Sequence, residues 1–179
     1  MPPSGKLDIT VTYLEMRQKP TDPAPPPPRP GLHIMHAARP TVSFYRYLFN
    51  TIGEPWLWAS RRQTPDDKLR AILDDDANHI DVLYVDGVPA GYAEIDFGPL
   101  PDVELLFFGL MPEFIGQGLG PYLLRHAIDT AWSRNPSRFW LHTCTLDHPK
   151  AVSVYRRAGF EPYKKEEKLM DDPRALGLI

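Results

Sequence analysis

Apolar and polar positions alternate along the chain with two distinct periods, and these divide it into strands and helices. Residues 8–16 (DITVTYLEM) are rich in β-branched side chains and predict a strand, and residues 32–37 predict a second. In residues 41–51 (TVSFYRYLFNT) the aromatic and aliphatic positions fall at helical spacing, with Pro40 at the start and Gly53 as a stop. Thr64-Pro65-Asp66-Asp67 has the composition of a helix start, with Thr64 as N-cap, and Leu69, Ile72 and Leu73 supply an apolar stripe. Asp86-Gly87 separates two apolar runs within residues 81–97, the pattern of a hairpin. Residues 103–111 (VELLFFGLM) are almost wholly apolar and predict a strand buried on both faces. An amphipathic helix over 121–134, a strand over 138–145, a short helix over 149–158 closed by Gly159, and a last strand over 160–168 complete the pattern. The expected fold class is α/β of the α+β type: a mixed central sheet flanked by helices, with an extra N-terminal strand.

Composition changes this picture in one place. The chain has 21 prolines in 179 residues, more than twice the usual ~5 %. Six of them lie between Pro23 and Pro30 (PAPPPPRP). Proline fixes φ and has no backbone donor, so residues 17–31 predict a semi-rigid polyproline-II connector. The expected organisation is therefore a strand extension over 1–16, a connector over 17–31 and a single domain over 32–179, with the first strand as an added arm. A net charge of −3 argues against a nucleic-acid-binding surface. The single cysteine, Cys144, excludes an intrachain disulfide and a cysteine-based zinc site. The first residues lack the pattern of a secretory signal and no apolar run approaches the ~20 residues of a membrane helix, so a cytoplasmic protein is expected.

Candidate chemistry concentrates in residues 104–160. Gly116, Gly118 and Gly120 stand at alternate positions between a strand and an amphipathic helix. Removing every second Cβ lets the backbone approach a ligand, and amides beside a helix N-terminus suit a phosphate or pyrophosphate. The loop has neither the Lys-Ser/Thr of a P-loop nor the glycine spacing of a dinucleotide fingerprint.

Together with its flanks, the segment resembles the GNAT superfamily of acetyl-CoA-dependent N-acyltransferases. GLMPEFIGQGLGPYLL resembles that family's strand–loop–helix for the CoA pyrophosphate, and DHPKAVSVYRRAGFEPY its closing signature, matched at Ala151, Tyr155, Gly159 and Phe160. The resemblance covers about residues 32–168 and implies a single GNAT-like domain. It implies acetyl transfer from acetyl-CoA, without a metal, to a primary amine on a small molecule or a lysine side chain. Phe108, Leu110, Met111, Gly116, Gln117, Gly118, Leu119, Gly120 and His148 are the implied cofactor-binding residues. Three positions depart from the pattern: Ile115 replaces the usual Arg or Gln, Pro121 deletes an amide beside the pyrophosphate, and His148 replaces an Asn. The first strand and the proline connector have no counterpart in the family's minimal fold.

Attack of an amine on a thioester requires a base, a stabilised oxyanion and a proton for the thiolate. Glu104 matches the position of the catalytic Glu in the histone-acetylating branch; the alternatives are a water relay as base, with Glu104 at a solvated strand edge or paired with an arginine. The amides of Phe108 and Leu110 would hold the thioester carbonyl, with Gly109 between them suited to a bulge. Tyr155 matches the general acid; a core tyrosine is the alternative. Trp56 and Trp58 stand in the region that lines the family's acceptor pocket, where they would contact a cationic amine.

Cys144 and His142 share a strand face, but a free cysteine in a strand reads as packing rather than a nucleophile. His142, Asp147 and His148 lack the spacing of a metal site. The competing functions are a non-catalytic acyl-CoA-binding protein and a polyproline-mediated interaction module. No nucleic-acid or membrane partner is expected. A homodimer stays open, since the first strand has an edge to pair.

Overall fold

The computed structural model describes residues 5–179. Seven strands form one sheet: β1 (Lys6–Met16), β2 (Leu32–His36), β3 (Asn78–Val85), β4 (Val88–Asp96), β5 (Asp102–Leu110), β6 (Arg138–Cys144) and β7 (Glu161–Asp171). Their order across the sheet is β2-β3-β4-β5-β6-β1-β7. Every neighbouring pair is antiparallel except β5–β6. The helices are α1 (Val42–Gly53), α2 (Ser60–Gln63), α3 (Asp66–Leu73), α4 (Leu119–Trp132) and α5 (Ala151–Arg157). One face of the sheet packs α4 and α5 through Leu83, Ile95, Leu123, Leu124, Ala127 and Phe139. The other packs α1 and α3 through Tyr45, Leu48, Phe49, Leu69, Val82 and Tyr92.

The first strand is an interior strand, not an arm. β1 pairs with β6 on one side and β7 on the other, and its Leu14 and Met16 are buried in the α4 core. Its residues 11–15 are paired on both sides, and the edge strands of the sheet are β2 and β7. Periodicity reveals that residues 8–16 are extended, but only long-range pairing shows where they insert.

That insertion explains the proline connector. β1 and β2 lie five strand positions apart, ~24 Å at ~4.8 Å per position. The connector spans this gap along the outside of α4. Lys19 pairs with Asp129 (3.6 Å), Arg125 Nη2 donates to the Asp22 carbonyl (2.8 Å), and Pro28 lies beside Gly118 at the helix start. Arg29 then pairs with Asp86 (2.6 Å) at the β3–β4 turn. A polyproline-II segment rises ~3.1 Å per residue with no internal hydrogen bonds, so it covers the distance in few residues and leaves little entropy to lose.

Two local expectations change. α3 begins at Asp66 with Pro65 outside it, and the Thr64 hydroxyl donates to the Ser60 carbonyl (3.0 Å) instead of capping α3. α4 begins two residues before Pro121, at Leu119; proline in a first turn loses only an amide that has no intrahelical partner.

Candidate active site

β5 and β6 pair only at Asp102–Arg138, Val103–Phe139 and Glu104–Trp140, and then diverge. The divergence opens a cleft of about 510 Å³ between the sheet, the glycine loop and α5. It is also why β5 is not buried on both faces: Val103 and Leu105 are buried, but Leu106 to Leu110 are partly exposed along the opening. Leu106 bulges opposite the Glu94–Ile95 step of β4. The bulge is thus at Leu106, not Gly109; Gly109 instead permits close approach, since a Cβ there would lie 2.5 Å from Ile52 Cγ2.

The Met111 amide donates to the Ala90 carbonyl on β4 (2.8 Å). Amides alternate in direction along a strand, so those of Leu110 and Phe108 point the other way, into the opening. The Met111 side chain is buried in the α1 core and does not line the cleft. Below Leu110, Gly116 (φ +83°) and Gly118 (φ +77°) adopt left-handed conformations that favour glycine. Nothing lies within 4 Å of a Cβ built on Gly116, and Gly120 borders the same space. α4 has no side-chain cap and no acid in its first turn, so the amides of Leu119 and Gly120 stay available to an anion. The Leu119 side chain is core, and the Gln117 amide group donates back to the Glu113 carbonyl (2.9 Å). The open left-handed loop and unpaired amides fit a pyrophosphate.

Tyr155 lies on α5 with its ring edge-on to Phe108 and to Phe160, both at 6.1 Å. Its hydroxyl makes no hydrogen bond among the described residues, and the side chain lines the cleft. Burial, and then the charge of Asp147, push the phenol well above its ordinary value. Glu104 lies on the other side of the opening. Burial raises its carboxyl to about 7, with a further contribution from Asp96. It stands behind His142, whose Nε2 is 3.8 Å from Glu104 Oε1 and whose ring lines the cleft. Burial, reinforced by Lys168 and opposed by Asp147, lowers the imidazole's value.

Trp56 and Trp58 both line the cleft. Trp58 packs on Phe49 and Phe107, and its Nε1 donates to Asp147 Oδ1 (3.3 Å). Trp56 stands edge-on to His148 (5.3 Å). The His148 Nδ1 accepts from the Lys150 amide (3.1 Å), so it helps turn the chain into α5. The tryptophan loop is anchored from below. Arg61 on α2 reaches Glu94 Oε1 (3.1 Å), and Tyr45 donates to Glu94 Oε2 (2.5 Å) in the core.

Asp147 and His142 are the cleft residues that sequence reasoning undervalued. Asp147 Oδ2 accepts from the Thr143 hydroxyl (2.5 Å) and the Cys144 amide (2.9 Å), which fixes the carboxylate at the cleft centre. Its sole sequence signal is an acid closing a strand before a helix. Burial pushes the Cys144 thiol up, so it stays protonated and is a poor nucleophile.

The Acetyltransferase (GNAT) family model matches residues 43–160, about two thirds of the chain. The chain belongs to the GNAT family. A Bacillus subtilis protein assigned as [ribosomal protein bS18]-alanine N-acetyltransferase is 27 % identical over 118 residues, covering 66 % of this chain and 72 % of the relative. Streptothricin acetyltransferase of Streptomyces lavendulae is 31 % identical over 93 residues, 49 % of this chain and 46 % of the relative. A functionally unknown conserved protein of Staphylococcus epidermidis has the same fold at a TM-score of 0.66 and 16 % identity, with 94 % of this chain covering 63 % of that one. The chain thus spans less than two thirds of some of its relatives. Acetyl transfer is the activity for which both curated GNAT relatives are named.

Proposed function

We propose that this protein is an N-acetyltransferase that moves the acetyl group of acetyl-CoA to a primary amine by direct attack. The observation that carries this reading is the β5–β6 divergence, which sets the amides of Phe108 and Leu110 and the Tyr155 hydroxyl around one opening above the glycine loop. Gly116, Gly118 and Gly120 and the amides of Leu119 and Gly120 would hold the CoA pyrophosphate. Acetyl-CoA supplies the activated acetyl group. The Phe108 and Leu110 amides would stabilise the developing oxyanion, a contribution worth a few kcal/mol. Glu104, through His142 or a water, would take the amine proton, and a carboxyl poised near neutral pH suits that task. Tyr155 would protonate the departing thiolate. Its raised value weakens it as an acid, but the same dry cavity disfavours a thiolate, so the two effects offset.

Trp56, Trp58 and the Asp147 carboxylate would receive the amine, by cation–π contact and by charge. The relatives' named acceptors, an alanine of a ribosomal protein and streptothricin, belong to two different substrate classes. The reading here is a small-molecule amine or a lysine side chain in the cytoplasm. A non-catalytic acyl-CoA binder has no need of the Tyr155 hydroxyl turned toward the cleft.

Calorimetric titration of acetyl-CoA and CoA into the wild type and into Gly118→Trp tests the proposal. Micromolar binding that the variant loses supports it. Absence of heat with either nucleotide at high protein concentration overturns it; where binding is seen, an amine panel with Tyr155→Phe as control tests turnover.

A further inference from the structure

Away from the cleft, at the β2 edge of the sheet, three elements bring imidazoles around one buried carboxylate. Asp81 on β3 faces the α4 side and is only 3 % exposed. Its Oδ1 lies 2.9 Å from His79 Nε2 and 3.4 Å from Nδ1 of His36, the residue opposite it on β2. Its Oδ2 lies 2.8 Å from His126 Nε2 on α4. The ligand atoms of His36, His79 and Asp81 all lie within 4.8 Å of one another.

Two features make this more than a satisfied core carboxylate. No Lys or Arg pairs with Asp81 among the described residues; its ionic partners are all imidazoles. His79 and His126 bond one oxygen each, and His36 brings a third imidazole to the same carboxylate, its Nδ1 shared with the Ile80 carbonyl (3.1 Å), which it would leave on binding an ion.

We propose that His36 Nδ1, His79 Nε2 and Asp81 Oδ1 form a binding site for a divalent transition-metal ion such as Zn2+, with His126 orienting the carboxylate through its second oxygen. Two imidazoles and a carboxylate are a borderline-hard donor set suited to zinc, cobalt or nickel, and three protein ligands leave a fourth position for water. Tetrahedral ligands ~2.0–2.1 Å from zinc sit ~3.3 Å apart, close to the two distances to Oδ1. The His36 and His79 rings are stacked (4.0 Å, 14° between planes), so coordination requires one ring to turn. His36 is on an edge strand with its side chain 46 % exposed, and has room to do so. The ion would clamp β2 to β3 on the face that α4 covers. This site is independent of the acetyl-transfer reading.

Titration of ZnCl2 into tag-free full-length protein by calorimetry, with Co2+ absorption as a second readout, tests the site. One equivalent is expected to bind, with affinity reduced at least ~10-fold in His126→Ala and further in His36→Ala/His79→Ala. His33→Ala, an exposed histidine on the same strand outside the cluster, is expected to bind as wild type does. His36→Ala alone removes an exposed side chain and serves if the double variant does not fold. Absence of one-equivalent binding in the wild type, or equal binding by wild type and the His36 variants, overturns the proposal.

Discussion

Glu104 on β5 stands opposite Trp140 at the last paired step of β5 and β6, and its Oε1 lies 3.8 Å from Nε2 of His142, two residues further along β6. Beyond that step the strands separate, so the pair stands where the sheet opens into the cleft. A carboxyl raised to about 7, and so about half ionised near neutral pH, stands beside an imidazole lowered from its ordinary value and largely neutral there.

In the wild type, kcat/KM is expected to rise with pH through about 7 as Glu104 loses its proton. Glu104→Gln is expected to lower the rate ~10²-fold or more and to abolish that limb of the profile. A pH–rate profile of both proteins with one amine checks this; an unchanged limb in the variant assigns the base elsewhere.

The same group predicts a stability effect. The folded value of Glu104 lies above its unfolded value of 4.5, so its contribution is complete below about pH 4.5 and is lost as pH rises through about 7. Glu104→Gln is therefore expected to be more stable than wild type at pH 8, by at most ~3 kcal/mol, and nearly equal to it at pH 4. Urea denaturation at the two pH values reads the difference.

Tyr155→Phe removes the hydroxyl but keeps the ring packing on Phe108 and Phe160. kcat is expected to fall ~10²-fold while acetyl-CoA affinity and thermal stability hold, which separates an acid from a core tyrosine. Steady-state kinetics beside calorimetry gives both quantities.

Arg61→Ala leaves Glu94, which is fully buried, without its cationic partner. Burial already raises the Glu94 carboxyl, with Arg61 opposing the rise. The loss is expected at ~3–5 kcal/mol in urea denaturation at pH 7. KM for the amine should rise as well, because α2 supports the loop that carries Trp58.

Deleting Lys19 to Pro30 leaves three residues between β1 and β2, a reach of ~15 Å against the ~24 Å the sheet requires. The deletion variant is expected to lose the cooperative fold by circular dichroism and calorimetry. A Gly/Ser segment of equal length is expected to fold with lower stability, because it has more conformational freedom to lose. Full retention of folding after the deletion would show that β1 does not occupy its place between β6 and β7.

Much of this molecule is legible in its residues because the signals are local. The hairpin at Asp86-Gly87, the amphipathic stripe of α4 and the glycines of its leading loop depend on neighbours within a few positions, and each stands where periodicity places it. Tyr155 and the tryptophans were likewise accessible from motif and position, and the structure gathers them on one cleft. The tertiary structure decided what depends on partners far along the chain. It set β1 inside the sheet, opened β5 along its outer half, moved the bulge to Leu106 and left Met111 in the core. It also joined Glu104 to His142, and His36 to His79 and Asp81. Residue spacing encodes which face of an element a side chain occupies, whereas its partner across the sheet depends on strand order and register, which the chain settles only when the whole core packs.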